Sequence, residues 1–281
     1  MDIFLQFNAL YPHTPCIFRP SMIQYYSTVS DLRGMSVNIK CKPETTSFSL
    51  HCMAMAFMLC DHLWGTIVPG NDWLTCIGRL AFPIYAFLLV EGYFHTRSLP
   101  KYMGRLLVFA LLSEIPFNLA MGSQVFYPIH QNVLWSFLIS LSLIFLNEKV
   151  RPKPLWIRIA VAAGTVILGY LLGILTFVDF YHGGILTVLA FYFFRRRVWW
   201  GYIGQFLALW YINMELLGGL VYEIPLFGHT FILARQGFAL LALIPIWLYR
   251  GKQGYHSKAL QYTYYAFYPV HLLILGILKL L

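Results

Sequence analysis

Apolar residues along this chain fall into long runs separated by short polar stretches, and most runs exceed what the buried face of a soluble helix requires. Crossing a hydrocarbon core takes about 20 mostly apolar residues in one helix. On that measure residues 48–68, 77–94, 102–121, 132–146, 157–178, 183–194, 199–217, 227–248 and 264–281 form nine spans, the sixth of them short. The pattern predicts an all-α fold, a polytopic transmembrane helical bundle of about nine spans, with no length left for a separate soluble domain. Residues 1–34 mix Pro, Tyr, His and Arg without a helical period. They also lack the basic start, apolar middle and small-residue cleavage site of a secretory signal. The chain therefore divides into a non-membrane amino-terminal extension over 1–46 and a membrane domain over 47–281. Met35, after which the composition changes, is the expected physiological start.

Composition agrees with immersion in lipid. Of 281 residues, 59% are hydrophobic and only 11% charged, against about a quarter charged in a soluble domain. A formal charge of +9 raises the question of nucleic acid, but the cations sit between the apolar runs. They cluster at Arg97, Lys101 and Arg105, at Lys149, Arg151, Lys153 and Arg158, at Arg195, Arg196 and Arg197, and at Arg250, Lys252 and Lys258. With nine spans every cluster falls on one side, and positive loops are held in the cytoplasm. The charge thus reads as topology, with a cytoplasmic amino terminus and no nucleic-acid partner. Five cysteines form an odd set without the paired short spacings of a zinc or redox site. No metal is assigned, and Cys52 and Cys60, inside the first span, read as small hydrophobes.

Ionisable residues inside the apolar runs change the picture. Asp61, Arg79, Glu91, Glu114 and Arg235 lie within or at the ends of spans, where each charge facing lipid costs about 2.5–3.5 kcal/mol. Most of them must face one another or a wet cavity. Asp61, His62, Arg79, Glu114, His130, Asp179 and His182 all fall toward the outer half of their spans. They either converge on one outward-facing pocket or form helix-locking pairs such as Asp61 or Glu114 with Arg79. His51 and His62, eleven positions apart, share a helix face roughly 16 Å apart along the axis. Neighbours in sequence point about 100° apart, so Asp61 does not orient the His62 ring and another span must. His130, Gln131 and Asn132 open the fourth span, where free N–H groups suit an anion or oxyanion; alternatively Asn132 or Gln131 is a helix cap. His271 follows the Tyr268-Pro269 kink, which either turns its ring into the bundle or only packs it.

Five stretches carry a resemblance: Cys60-Asp61-His62, GRLAFPIYAFLLVEGYFHTR (78–97), LLSEIPFNLA (111–120), YPIHQN (127–132) and YPVHLLIL (268–275). Over roughly residues 50–281 they resemble the TraX family of bacterial membrane proteins. The resemblance implies a multi-pass acetyltransferase of the bacterial cytoplasmic (inner) membrane, with acetyl-coenzyme A as donor and the amino terminus of a conjugative pilin as acceptor. The family is distantly similar to the acyltransferase 3 membrane enzymes, whose first span carries Arg and His eleven positions apart. That pair maps to His51 and His62, so the first member is here a histidine. For acyl transfer, His62 is the candidate base. Arg79 or the start of span four is the candidate oxyanion stabiliser, and Asp61 or Glu114 would orient a ring or bind the acceptor's ammonium. His130 and His271 complete the catalytic candidates. Arg97, Arg105, Arg195, Arg196 and Arg197 are candidates for the coenzyme phosphates, although topology alone also explains them. A glycan hydroxyl is a second acceptor class. A proton-coupled transporter or flippase using Asp61, Glu91, Glu114 and His271 is the alternative from another class; the repeat it would need is represented only by Glu-Ile-Pro at Glu114 and Glu223.

Overall fold

Thr46 begins the helical body. Its hydroxyl accepts from the Ser49 N–H at 3.2 Å while the Ser49 hydroxyl accepts from the Thr46 N–H at 2.8 Å, a reciprocal cap that starts helix α1 (Ser47–Thr66). The computed structural model describes residues 44–226 and 229–281, so the expectations for the first 34 residues and for a start at Met35 lie outside the described residues. Helices α2 (Asp72–Gly78) and α3 (Ala81–His95) follow, interrupted only at Arg79 and Leu80. Helix α4 (Leu99–Phe117) contains Pro116 and widens into a π-helical turn at Asn118–Gly122, consistent with the backbone bond that proline cannot donate. Then come α5 (Val133–Lys149), α6 (Leu155–Leu175), α7 (Tyr181–Phe193) and α8 (Trp199–Trp210), the last running into a second π turn at Tyr211–Leu216. An antiparallel hairpin, β1 (Val221–Leu226) with β2 (His229–Ala234), leads into a 3₁₀ segment (Arg235–Ala242), α9 (Leu243–Leu248) and α10 (Lys258–Leu280).

Among the described residues, four helical stretches are long and apolar enough to cross a membrane: 72–95, 99–122, 155–175 and 258–280. Runs one to seven and run nine each hold a helix. Run eight, expected as one helix over 227–248, departs in kind, because its first part is strand β2 and only Arg235–Leu248 is helical. Local chemistry explains this. Gly218 and Gly219 take positive φ values of 48° and 90° and break the preceding helix, Pro225 stands inside β1, and Thr230-Phe231-Ile232 is rich in residues that favour strands. The described residues are therefore mostly helical, with one two-stranded hairpin.

Helix α3 is apolar on all sides and central, with Ile84, Ala86 and Val90 buried against α1, α7 and α5. Leu50, Leu141, Ile144, Ile185, Leu189 and Leu209 complete this core. A smaller cluster of Phe117, Ala120, Tyr268 and Leu272 joins the end of α4 to α10. Helix α6 instead presents Trp156, Ile159, Ile167, Leu171 and Leu175 outward, a surface suited to lipid. Where α1 crosses α2, Gly78 meets Asp61 so closely that an added methyl would lie 2.8 Å from its Oδ1. That approach places the polar end of α1 against Arg79.

Candidate functional site

Asp61 and His62 leave α1 in different directions. Asp61 Oδ1 accepts from Arg79 Nη2 at 2.8 Å and from Thr75 Oγ1 at 2.7 Å. Arg79 Nη1 donates to Gln236 Oε1 at 3.2 Å, and Gln236 Nε2 donates to Asn213 Oδ1 at 3.1 Å. One network thus ties α1 and α2 to the 3₁₀ segment and the second π turn. The expected Asp61–Arg79 pair is present, and the guanidinium is further held by Thr75 Oγ1 at 2.9 Å.

His62 turns toward α10, where Nδ1 lies 2.6 Å from His271 Nε2 with the rings inclined by 7°. His271 Nδ1 in turn lies 2.6 Å from the Phe267 carbonyl oxygen. A carbonyl only accepts, so His271 Nδ1 carries a proton; with both rings neutral its Nε2 accepts and His62 Nδ1 donates. That leaves His62 Nε2 with a lone pair and no hydrogen bond among the described residues. The partner required from another span is therefore His271, delivered by α10.

Two further groups stand at the same end of the bundle. Glu114 Oε2 accepts from Asn132 Nδ2 and, at 3.1 Å, from Trp135 Nε1, while its Oε1 is buried without a partner. Asn132 also caps α5 through Oδ1, which accepts from the Leu134 N–H at 3.1 Å, so the start of the fourth span is a cap that holds a carboxylate. His130 Nε2 lies 3.4 Å from Asp179 Oδ1. That hydrogen bond raises the imidazole's pKa above its ordinary value, outweighing burial. Backbone bonds from Gln131 N–H to Phe177 O and from Asp179 N–H to Gln131 O, both 2.8 Å, join the two loops. Asp179 acts electrostatically on both Asp61 and Tyr268, and Glu114 on Tyr268 and His130, which brings these groups into one neighbourhood. His182 stands apart from it, packed 4.6 Å from the Tyr170 ring with Nδ1 unpaired. Arg235 pairs with Asp72 at 3.6 Å and covers the Trp64 ring.

A cavity of about 870 Å³ runs through the other half of the bundle. Arg97, Arg105, His95, Gln253 and His256 line its polar end; Leu88, Leu89, Phe109 and Phe137 line its wall; Met58, Val133, Leu134 and Tyr268 line its far end. The Tyr268 ring centre is 6.3 Å from that of His62 and 6.0 Å from that of His271, so the far end abuts the histidine pair. His51 also lines the wall, its Nδ1 2.7 Å from Ser47 O and its ring flat against Tyr264 at 4.2 Å. The five candidate arginines separate. Arg97 and Arg105 line the cavity. Arg195 is bound to Glu91 at 2.8 Å over the Phe94 ring and Arg197 covers Tyr249, while Arg196 forms no ion pair among the described residues.

The family model described as TraX protein matches residues 48–279. The chain belongs to the TraX family. One relative is the "Probable fimbrial assembly protein FimC, serogroup H1" of Dichelobacter nodosus, 29% identical over 255 residues that cover 86% of this chain and 97% of that one. No solved structure matches the chain. Every candidate from His51 to His271 lies inside the TraX match. Thr75, Asn213, Trp135 and Tyr264, which hold or line the site, escaped the sequence reading: a neutral polar or aromatic residue in an apolar run carries no cost that singles it out.

Proposed function

We propose that this TraX-family protein is a multi-pass acetyltransferase of the bacterial inner membrane. It would transfer acetyl from cytoplasmic acetyl-coenzyme A to an envelope acceptor, such as the amino terminus of a pilin. The observation that carries the reading is the His62–His271 pair, with a free ring nitrogen, beside the far end of a cavity whose mouth is cationic. Nine crossings with a cytoplasmic amino terminus would put that mouth in the cytoplasm, because every basic cluster then shares one side. The cavity lies within the roughly 300–1,000 Å³ of small-molecule sites. Its change from arginines to apolar wall matches a phosphate-bearing head followed by a slender arm, with Arg97 and Arg105 on the phosphates.

In this reading the acceptor amine attacks the thioester carbonyl, a C–N bond forms, and the C–S bond breaks. The ammonium first gives one proton to solvent; His62 Nε2 then takes the second as general base while the amine attacks and returns it to the departing sulfur, so coenzyme A leaves as the thiol. Of the carboxylates at this end, Asp61 is paired with Arg79 and Asp179 with His130, while Glu114 Oε1 is buried without a partner, which suits a cationic acceptor better than a neutral hydroxyl. The relative's name, a probable fimbrial assembly protein, is compatible with a pilin-like partner.

The test uses the purified protein in lipid vesicles with radiolabelled acetyl-coenzyme A, a peptide with a free amino end, the same peptide blocked, and an oligosaccharide. Label should enter only the free peptide and be absent with His62→Ala. Equal labelling by native and variant protein removes His62 from the mechanism. Label on the oligosaccharide establishes the glycan reading, and donor-independent proton-coupled uptake the transporter reading.

A further inference from the structure

The hairpin stands at the end of the bundle away from the basic loops, and its two edges are unlike each other. Val221 pairs with Ala234, Glu223 with Ile232 and Pro225 with Thr230. The Arg235 N–H donates to Leu220 O at 2.8 Å, which fixes the alternation of the ladder. Pairs 220/235, 222/233, 224/231 and 226/229 exchange hydrogen bonds, and the pairs between them turn their N–H and C=O groups outward. On β1 the outward groups belong to Val221, Glu223 and Pro225, and the last has no N–H to offer. On β2 they belong to Thr230, Ile232 and Ala234, with Thr230 and Ile232 exposed. The β2 edge therefore carries outward donors and acceptors that are open at Thr230 and Ile232 and buried at Ala234, without the proline or charge that usually blunts such an edge. A two-stranded hairpin is itself marginal in water and gains from a third strand.

The β2 edge also leads into the site. Arg235 follows β2 and pairs with Asp72. Gln236 comes next and accepts from Arg79, which holds Asp61 beside His62. We propose that the β2 edge of the hairpin is the docking strand for a polypeptide acceptor, which adds to it in extended, antiparallel form as a third strand. This rests on the reading of the protein as an amine acetyltransferase and names how the acceptor is recognised. Direction follows from geometry: antiparallel to β2, the peptide's amino end passes Ile232 and points toward Ala234, Arg235 and Gln236, and its chain runs outward past Thr230. The cations on that path are already paired, Arg235 with Asp72 and Arg79 with Asp61, so neither stands free against the leading ammonium. Recognition through backbone hydrogen bonds gives affinity with little demand on acceptor sequence.

The experiment compares a peptide of about ten residues with a dipeptide sharing its amino end, using the full protein in vesicles with acetyl-coenzyme A. The longer peptide should have a KM about tenfold lower, as several added backbone hydrogen bonds allow. Ile232→Pro removes an outward N–H and no bond of the hairpin; it should raise the long peptide's KM to that of the dipeptide and leave dipeptide kinetics unchanged. Glu223→Pro, the same change on the β1 edge, should do neither. Methylating successive backbone nitrogens of the long peptide should raise KM at every second position, a readout independent of any variant's folding. Equal KM for the two peptides, equal effects of the two prolines, or no alternation in the methylation series overturns the docking strand while the acetyltransferase reading stands. Label on no peptide at all overturns both.

Discussion

His62 Nδ1 is occupied by His271, and His271 Nδ1 by a backbone carbonyl, so the orientation of the proposed base depends on a ring that need not touch substrate. Exchange of His271 for alanine should lower kcat about a hundredfold, the scale of one acid–base contribution, with KM for donor and acceptor unchanged. His271→Gln, whose amide oxygen can still accept from His62 Nδ1, should restore much of the loss; a fall in the alanine variant that glutamine does not relieve would make His271 a packing residue only. His130 and Asp179 give a test in pH. The folded pKa of His130 lies above the ordinary value near 6.5, so its pairing contributes stability that is full below that value and is lost as pH rises through the raised one. The native protein should lose its lead in thermal midpoint over Asp179→Asn across that window, by under about 1 kcal/mol because both groups are partly exposed. A difference independent of pH counts against the pairing. Charged and imidazole side chains were legible from sequence because a lipid-facing charge is costly. The grip of Gln236 on Arg79 and Asn213 was not legible, since amides carry no such penalty and its partners lie 157 and 23 positions away.

Element by element, the apolar runs located the helices because periodicity and length act locally, and only run eight is helical in its second part alone. The exception shows what that signal lacks. Run eight is apolar enough, but a glycine pair before it, a proline within β1 and branched residues within β2 set its backbone, and hydropathy weighs none of these. Crossing geometry is equally hidden: nothing in the run around Gly78 says that α1 approaches it through Asp61. Gly78→Val should cost about 1–3 kcal/mol, the range for overpacking, and depress transfer by shifting Asp61 from Arg79. Gly164→Ala, in α6 with nothing within 4 Å of the added methyl, should instead hold or raise the thermal midpoint, as helix propensity gains about 1 kcal/mol. Equal midpoints for the Gly78 and Gly164 variants would remove the close crossing from the account.

Across the whole molecule, one feature admits two readings that the sequence could not separate: the basic end serves topology, or it also binds the donor. Positive loops orient any bundle, so the pattern of clusters is the same in both cases. The structure separates the arginines by position instead. Arg97 and Arg105 line the cavity, Arg195 and Arg197 lie over aromatic rings at its margin, and Arg196 forms no ion pair among the described residues. If only topology acts, the single alanine variants should resemble one another, each removing one charge from the same face. If the cavity holds the phosphates of the donor, Arg97→Ala and Arg105→Ala should each raise KM for acetyl-coenzyme A about tenfold, the loss of one charge-assisted contact, without changing KM for the acceptor. Arg196→Ala should leave both constants as they are. Met58→Trp supplies the steric counterpart at the far end of the cavity: it should raise KM for acetyl-coenzyme A while the protein keeps its thermal midpoint. Donor constants indifferent to Arg97, Arg105 and Met58 would return the basic end to topology and leave the cavity without its occupant.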